Sequence, residues 1–332
     1  LFKSCFRSST HFPLSRTIEQ YAHYADTVQQ INRYAALPGD FIQRVEEKYQ
    51  NSLAELANAV LARCLPHRVH TIMLSGPSSS SKTTTAHQLV ARFQQKGREA
   101  VLISLDDFYL GDEHTPLDAD GRPDYETVDA LNIELLNDCL LSLMQHGACN
   151  LPVFDFTHHR PLAETRPIEL RPDAIAVVEG IHALNPRIVQ RLPRQDLTKI
   201  YISVKQGISD RGQALLTPND IRLIRRIVRD HQFRSMPPVG TLAMWPSVMS
   251  GEYRYIKPYR READFTINSF HSYEPCVFRS LLTPLLSTVP PGSEHEQRAR
   301  QLQQALALFT PIPFSLVPPE SVLWEFIGNP AA

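Results

Sequence analysis

The stretch VHTIMLSGPSSSSKTTTAHQLV, residues 69–90, decides the fold. Its first six residues are an apolar, β-rich run that predicts a buried strand, and residues 82–96 have the composition of a helix. Between them, GPSSSSKT (76–83) fits the pattern G-x-x-x-x-G-K-[S/T], except that Ser81 stands in place of the second glycine. A strand, such a loop and a helix N-terminus in this order predict a row of backbone N–H groups that binds phosphate.

In this interpretation Lys82 reaches the β- and γ-phosphate oxygens of a nucleotide, and the Thr83 hydroxyl holds Mg²⁺. The alternative is a serine-rich turn that merely precedes a helix. Glycine serves such loops where φ is positive or where the backbone approaches the ligand closely, so a side chain at Ser81 could cost roughly 1–3 kcal/mol. Serine is small and can donate a hydrogen bond, so we expect weaker binding but not its loss. The predicted nucleotide-binding residues are Gly76, Pro77, Ser78, Ser79, Ser80, Ser81, Lys82, Thr83 and Thr84.

Further apolar runs predict the rest of a sheet. Four more strands are expected at 100–105, 174–180, 199–204 and 264–268. Helical patterns are found at 17–36, 40–63, 127–146, 219–233 and 294–308. Strands that alternate with helices predict an α/β fold, a doubly wound parallel sheet with helices on both faces.

The bulk composition excludes several classes of partner. A formal net charge of -1 provides no field that favours nucleic acid or an anionic membrane, and no apolar run reaches 18 residues. Five cysteines without a C-x-x-C pair are typical of reduced thiols in an intracellular protein. We therefore expect a cytoplasmic protein that binds neither nucleic acid nor membrane.

The chain divides by pattern into three segments: a helical N-terminal segment (1–66), a phosphate-loop domain (67–290), and a C-terminal helix with a proline-rich tail packed on that domain (291–332). Residues 1–18 are basic and free of acids, a composition that also suits an organelle transit peptide.

Acidic residues follow two of the predicted strands. LDDFY (105–109) places Asp106 and Asp107 at the carboxyl end of a strand, which is the ligand side of a doubly wound sheet. One of them could accept a proton from a substrate hydroxyl, or the pair could simply open a turn. Glu179 closes another strand, where an acid can hold Mg²⁺ directly or through water.

Two further segments carry residues suited to ligands. In RLIRRIVRD, Arg222, Arg225, Arg226 and Arg229 share one side of a helix, and this face has no acid until Asp230. Like charges so close repel unless an anion meets them, which favours an arginine-rich lid that faces phosphate over a solvated helix face. PVFDFTHHR (152–160) combines aromatic residues with histidines, and fits either a pocket for a flat ligand or a structural hairpin.

Taken together, these motifs resemble the uridine kinase and phosphoribulokinase superfamily of P-loop kinases. The matching pieces include GPSSSSKTT, SLDDFYL, EHTPLDADGRPDYE, VVEGIHALNP, RLIRRIVRDHQFR and SVLWEFIG. They are most similar to a bacterial-type nucleoside kinase branch in which an N-terminal region similar to threonyl-tRNA synthetase precedes the kinase. That resemblance makes the segment before residue 40 the remnant of such a region, in preference to a transit peptide.

The resemblance implies ATP- and Mg²⁺-dependent 5′-phosphorylation of a pyrimidine nucleoside, a small-molecule acceptor, and leaves homo-oligomer formation open. It makes Asp106 the catalytic base and Glu179 a support for the metal bound by Thr83. The residues implied in catalysis are Asp106, Lys82, Arg225 and Arg229, with Arg226 on ATP. The residues implied in acceptor binding are Asp107, Tyr109, Asp124, Phe154, His159 and Arg222.

The sequence departs from the family pattern at parts that handle phosphate. The family loop reads GPSSSGKTT, and the family has glycine where this chain has Ser235. Segment 208–220 lacks an Asn-Arg pair, and segment 247–252 lacks an arginine run. These departures leave two alternatives open: a catalytically impaired nucleotide-binding module, and a P-loop kinase that acts on a sugar phosphate.

Overall fold

The computed structural model describes residues 23–118 and 121–328. The strands are β1 His23–Thr27, β2 His70–Ser75, β3 Ala100–Ser104, β4 Ala148–Asp155, β5 Arg160–Glu169, β6 Ile175–Glu179, β7 Leu197–Ser203, β8 Gln206–Asp210, β9 Gln213–Leu216 and β10 Phe265–Asn268. The α-helices are α1 Val28–Ala35, α2 Pro38–Leu61, α3 Lys82–Gln95, α4 Ile133–His146, α5 Pro186–Val189, α6 Pro218–Arg234, α7 Pro238–Gly251, α8 Glu274–Leu286, α9 Glu296–Ala307 and α10 Trp324–Ile327.

The five predicted strands form one parallel sheet in the order β10-β7-β2-β6-β3. In its register, Ile72 at the centre of the sheet lies opposite Val177 on one side and Thr198 on the other. The chain runs from β2 outward to β3, returns to β6, and then crosses to β7 on the far side of β2. The reversal beside β2 places a crevice at its carboxyl end, where ligands bind in sheets of this kind.

Helices cover both faces of this sheet, because its side chains alternate between two cores. Ile72 and Leu74 of β2 pack with α2, α3, α6, α8 and α9, whereas Met73 between them packs with α4 on the other face. All three side chains are fully buried. The predicted doubly wound α/β fold is therefore confirmed.

The helix expected at 17–36 is wrong in part. Residues 17–22 lie outside the described residues, and residues 23–27 form β1, which pairs in parallel with β8. β8 in turn pairs antiparallel with β9, giving a second, three-stranded sheet. Only α1 is helical in this range, and it begins where the Thr27 hydroxyl accepts a hydrogen bond from Gln30 N.

The helix expected at 127–146 starts later than predicted. The side chain of Asn132 accepts a hydrogen bond from Leu135 N at 3.1 Å and so fixes the start of α4 at Ile133. Residues Val128–Ala130 form a short 3₁₀ turn instead.

The segment 152–160 belongs to a hairpin in which β4 and β5 pair antiparallel. It stands beside the turn that follows β3, and it brings its aromatic side chains to the carboxyl edge of the sheet.

One hydrophobic core crosses the three predicted segments. Buried Leu53 of α2, Leu302 of α9 and Phe326 of α10 all belong to the same cluster as Ile72 of the sheet. The segment limits at 66 and 290 stay predictions. Across residues 23–118 and 121–328, no helix is long and apolar enough to cross a membrane.

Candidate active site

The loop between β2 and α3 has the shape of an anion-binding nest. A Cβ atom on Gly76 would lie 2.4 Å from Ile202 O, so only glycine fits there. Ser79 and Ser81 have φ values of 60° and 64°, in the left-handed region. The buried hydroxyls of Ser79 and Ser80 have no hydrogen-bond partner within the described part of the chain. Alternating backbone conformation, unpaired donors and the helix N-terminus fit a polyphosphate.

Ser81 lies at the position where glycine would be least strained, as the sequence predicted. It is fully buried, and its carbonyl accepts hydrogen bonds from Thr85 N at 3.1 Å and Thr85 Oγ1 at 2.5 Å. The hydroxyls of Thr85 and Tyr49 of α2 are 2.7 Å apart, and Arg225 Nη1 lies 3.3 Å from Ser81 Oγ. The serine is therefore held in the loop conformation by contacts from two helices.

Lys82, Thr83 and Glu179 meet in front of the sheet. Lys82 Nζ lies 2.7 Å from Glu179 Oε2, and Thr83 Oγ1 donates to Glu179 Oε1 at 3.3 Å. Ser104 Oγ at the end of β3 donates to the same oxygen at 3.3 Å. The carboxyl ends of neighbouring parallel strands lie at one edge, which is why residues so distant in sequence converge here.

Asp106 lies beside this group, on the 3₁₀ turn that follows β3. Burial, with help from the Glu179 carboxylate, raises its pKa to about 6, against the opposing effect of Lys82. Burial alone would lower the pKa of Lys82, but Glu179 and Asp106 outweigh it and raise that pKa. The site thus holds a charged ammonium beside a carboxylate that is a stronger base than usual.

The oxygen donors of this site suit Mg²⁺. Among residues 23–118 and 121–328, no cluster of three or more His, Cys, Asp or Glu side chains could hold a metal ion. Mg²⁺ that travels with a nucleotide keeps several waters and takes one or two protein oxygens, besides those of the phosphates. Thr83 Oγ1 and the Glu179 carboxylate supply such oxygens next to the loop between β2 and α3.

The arginines of α6 do not form the unpaired face that the sequence suggested. Arg222 Nη2 lies 2.6 Å from Glu252, and Arg225 makes a bidentate pair with Glu274 at 2.6 and 2.9 Å. These acids come from segments that follow α6, so the local sequence could not reveal them. Both arginines are buried, and they donate to the loop carbonyls of Ser78 at 2.9 Å and Ser79 at 3.3 Å. Arg222 and Arg225 therefore stabilise the backbone of the phosphate loop.

Further along α6, three arginines surround Asp230. Arg226 donates to Ser78 Oγ at 2.7 Å and lies 3.2 Å from Asp230, and Arg229 lies 2.7 Å from the same carboxylate. Arg234 is more exposed, 3.7 Å from Asp230, and its pKa is lowered by burial and by Arg229, with Asp106 opposing. One carboxylate shared by three guanidinium groups leaves positive charge near the loop and near Asp106.

Aromatic side chains form a wall next to Asp106. The Tyr109 ring lies 5.0 Å from that of Tyr125 and 5.8 Å from that of Phe154, and Tyr125 lies 6.0 Å from the ring of His159. Burial, and then the charge of Asp106, raise the pKa of Tyr109. The predicted acceptor residues Tyr109, Phe154 and His159 are thus brought together.

The two predicted acceptor carboxylates lie at the edges of this wall. Asp107 accepts a hydrogen bond from the backbone of Phe154, and burial raises its pKa while Arg166 opposes the rise. Asp124 accepts from Glu126 N at 3.0 Å. Asp107 therefore ties the hairpin to the turn that carries Asp106.

Three site residues were missed in the sequence. Ser104 contacts Glu179, Glu126 is a partly buried acid whose pKa burial raises to about 7 against Arg226, and Glu325 reaches the first turn of α3. Ser104 and Glu126 lie within two residues of Asp106 and Asp124, so the motifs contained the signal. For Glu325 the only signal in the sequence is its position in SVLWEFIG, one of the segments that resemble the family.

Comparison with known proteins agrees with this geometry. The model of the phosphoribulokinase / uridine kinase family matches residues 71–274, more than half of the chain. The chain belongs to this family. Family members named uridine kinase include one from Borrelia duttonii (strain Ly), 34% identical over 203 residues, which covers 60% of this chain and 86% of that protein. A Leuconostoc citreum (strain KM20) uridine kinase is 26% identical over 197 residues, 59% of this chain and 85% of that protein.

The solved structures that align with this chain are more distant. A possible uridine kinase from Bacillus stearothermophilus aligns with a TM-score of 0.44 and 17% identity, over 66% of this chain and 99% of that one. Phosphoribulokinase from Rhodobacter spheroides aligns with a TM-score of 0.40 and 15% identity, over 60% and 69% of the two chains. The region similar to threonyl-tRNA synthetase expected before residue 40 has no support among these comparisons and stays a prediction.

Proposed function

We propose that this chain is a nucleoside kinase that transfers the γ-phosphoryl group of ATP to the 5′-hydroxyl of a pyrimidine nucleoside such as uridine or cytidine. The observation that carries the proposal is the meeting of Asp106, Lys82 and Glu179 at the ends of adjacent strands, with an aromatic wall beside them. Membership of the family, and relatives named uridine kinase, support the same activity.

On the donor side, the backbone N–H groups of 78–84 and the Lys82 ammonium bind the phosphates of ATP. Thr83 and Glu179 would hold Mg²⁺, which neutralises charge on the β- and γ-phosphates. Lys82 is paired with Glu179 at 2.7 Å, so its ammonium is held at the end of β6 before nucleotide arrives. Such preorganised charge is the main catalytic resource for phosphoryl transfer.

Asp106 acts as the base that accepts the proton of the 5′-hydroxyl. A pKa of about 6 leaves the carboxylate ionised at neutral pH, and makes it a better proton acceptor than an ordinary aspartate. Its place on a short turn directly after β3 holds it at the sheet edge, beside Lys82. The hydroxyl oxygen can then bond to the γ-phosphorus as the bond from that phosphorus to the bridging oxygen breaks, so that ADP leaves and the proton stays on Asp106.

On the acceptor side, Tyr109, Phe154 and His159 provide the surface on which a nucleobase would stack. Asp124 is proposed to bind the sugar hydroxyls, since a carboxylate accepts hydrogen bonds from them. Asp107 holds the hairpin in register with Asp106 through the Phe154 backbone.

The α6 arginines divide into two roles. Arg222 and Arg225 are positioning residues, because buried carboxylates and loop carbonyls take their donors. Arg226 and Arg229 are proposed to meet the transferring phosphoryl group, since both share Asp230 with Arg234 and keep positive charge beside the loop. Neutralising charge on that group is what such arginines contribute to phosphoryl transfer.

The test is to incubate the purified protein with Mg-ATP and a panel of nucleosides and sugar phosphates, and to follow ADP release. We expect turnover with uridine or cytidine that Asp106→Asn abolishes. Asp138→Asn is the matched control, because the Asp138 side chain is 71% exposed and this substitution removes the same charge.

Other outcomes would reject the proposal. Turnover only with a sugar phosphate would make the chain a kinase of that class. A shift in melting temperature with Mg-ATP but no turnover with any acceptor would make it a nucleotide-binding module. Turnover unaffected by Asp106→Asn would remove Asp106 from the role of base.

A further inference from the structure

The C-terminal segment places a carboxylate on the phosphate loop's helix. Glu325 Oε2 accepts a hydrogen bond from Thr84 Oγ1 at 2.7 Å and a longer one from Thr84 N at 3.4 Å. Thr84 is the third residue of α3, so its N–H belongs to the helix's first turn, which has no intrahelical partner. The N-cap residue Ser81 makes no side-chain capping bond. A glutamate therefore uses donors that the loop would otherwise offer to a phosphate.

Glu325 is also felt at the centre of the site. Burial lowers the pKa of Lys82, and the charges of Glu179 and Asp106 raise it. The charge of Glu325 adds a smaller raising effect to theirs. The carboxylate therefore lies within the field that an incoming polyphosphate would meet. Two negative groups at that distance repel each other, and partial burial reduces the screening by solvent.

The segment that carries Glu325 is firmly attached. The Phe326 ring is fully buried with the Arg225 guanidinium 5.0 Å from its centre, and Ser321 Oγ lies 2.9 Å from the Tyr273 hydroxyl. Trp324 Nε1 donates to Pro318 O at 2.7 Å. With the backbone anchored on both sides, only the Glu325 side chain can turn away. Its charge then stays close to the loop even after it releases Thr84.

We propose that Glu325 lowers the affinity of the loop for the donor nucleotide, mainly because its negative charge beside Thr84 repels phosphate. The inference rests on the proposed function, because it takes the loop to be the donor site. Glu325 thus weakens nucleotide binding and eases release of the product ADP. It is a residue that sets affinity for phosphate and has no part in the chemical step.

The test compares equilibrium binding of two probes, Mg-ADP and inorganic tripolyphosphate, to the full chain by titration calorimetry. Glu325→Gln keeps an acceptor for Thr84 and removes only the charge. We expect its Kd for both probes to fall by about tenfold, as the loss of one nearby like charge would give. Glu320→Gln is the matched control, because its exposed side chain carries the same charge on the same segment, and its Kd should not change.

The outcomes separate the inference from the function it rests on. Equal, measurable binding by the original protein and Glu325→Gln would overturn the inference and leave the donor site intact. Weaker binding of Mg-ADP by Glu325→Gln would also overturn it, and would mean that the carboxylate helps to bind the nucleoside part. No binding of either probe by any variant would overturn the donor site as well. Thermal melting of each variant checks that the fold is kept.

Discussion

Two of the serines that adopt a left-handed backbone stand where the family pattern is expected to have glycine. Ser81 has φ 64° at the start of α3, and Ser235 has φ 50° at the end of α6. The left-handed conformation costs a residue with a side chain about 1–2 kcal/mol. These are two of the positions where the chain departs from its family's glycines, so the departures have a common physical cost.

We expect Ser81→Gly to raise kcat/KM for ATP by roughly fivefold, because about 1 kcal/mol of strain leaves the nucleotide-binding loop. The measurement is steady-state kinetics with varied ATP. Ser235→Gly is the control, since it relieves similar strain away from the loop and should leave the KM for ATP unchanged. If Ser81→Gly turns over no faster than the original protein, the serine is not a handicap.

The pKa of Asp106 predicts the acid side of the pH profile. Because the ionised form is the base, kcat/KM should rise with pH through about 6 and level off above it. The profile is measured between pH 5 and pH 8 in buffers of constant ionic strength. A profile that is already level from pH 5 upward, as the ordinary aspartate pKa of 3.8 would give, would show that burial does not perturb this carboxylate.

The same shift predicts a stability change. A folded pKa above the unfolded one means that the ionised carboxylate destabilises the fold above pH 6, and that this cost is gone below the unfolded pKa of 3.8. Asp106→Asn should therefore stabilise the protein by about 1–2 kcal/mol at pH 8 and by much less at pH 4. Denaturant unfolding at the two pH values is the check, and an equal gain at both would contradict the buried charge.

At the scale of elements, the link between α6 and α8 depends on a buried ion pair. Neither Arg225 nor Glu274 is more than 1% exposed. Removing one partner leaves the other charge buried alone, so Glu274→Gln should lower the free energy of unfolding by about 3–5 kcal/mol. Glu294→Gln, at a side chain 85% exposed, should change it by less than about 0.5 kcal/mol. Chemical denaturation measures both, and similar small effects would mean that the pair adds nothing.

This pair also shows why sequence reasoning reached the strands but not the arginines. Each sheet strand is an apolar run buried on both faces, so its signal is local. Glu274 lies 49 residues after Arg225, in a helix whose sequence pattern is weakened by Pro275 and Pro284. The strand at His23–Thr27 was missed for a similar reason, since only pairing with the distant β8 makes it a strand. The phosphate loop and Asp106 were found because their residue types sit at fixed spacing after a strand.

At the scale of the whole molecule, the core extends beyond the residues that match the family. Phe326 lies outside 71–274, yet it is fully buried against Arg225. Phe326→Ala should cost about 3–5 kcal/mol of stability, whereas Phe314→Ala, at a ring 45% exposed, should cost less than about 1 kcal/mol. Thermal and denaturant unfolding compare the two. Equal small losses would show that the tail is a dispensable appendage.

The hydrogen bond between Tyr49 and Thr85 has a consequence for reading genetic variation. Tyr49 precedes the matched region, yet its hydroxyl holds the threonine that in turn holds the Ser81 carbonyl. A missense change at Tyr49 would pass every motif inspection, because the loop, the aspartate and the lid would all read as intact. The same change would alter how the loop sits. In this protein, harmful missense variants can therefore lie in segments that an inspection of motifs would classify as having no effect.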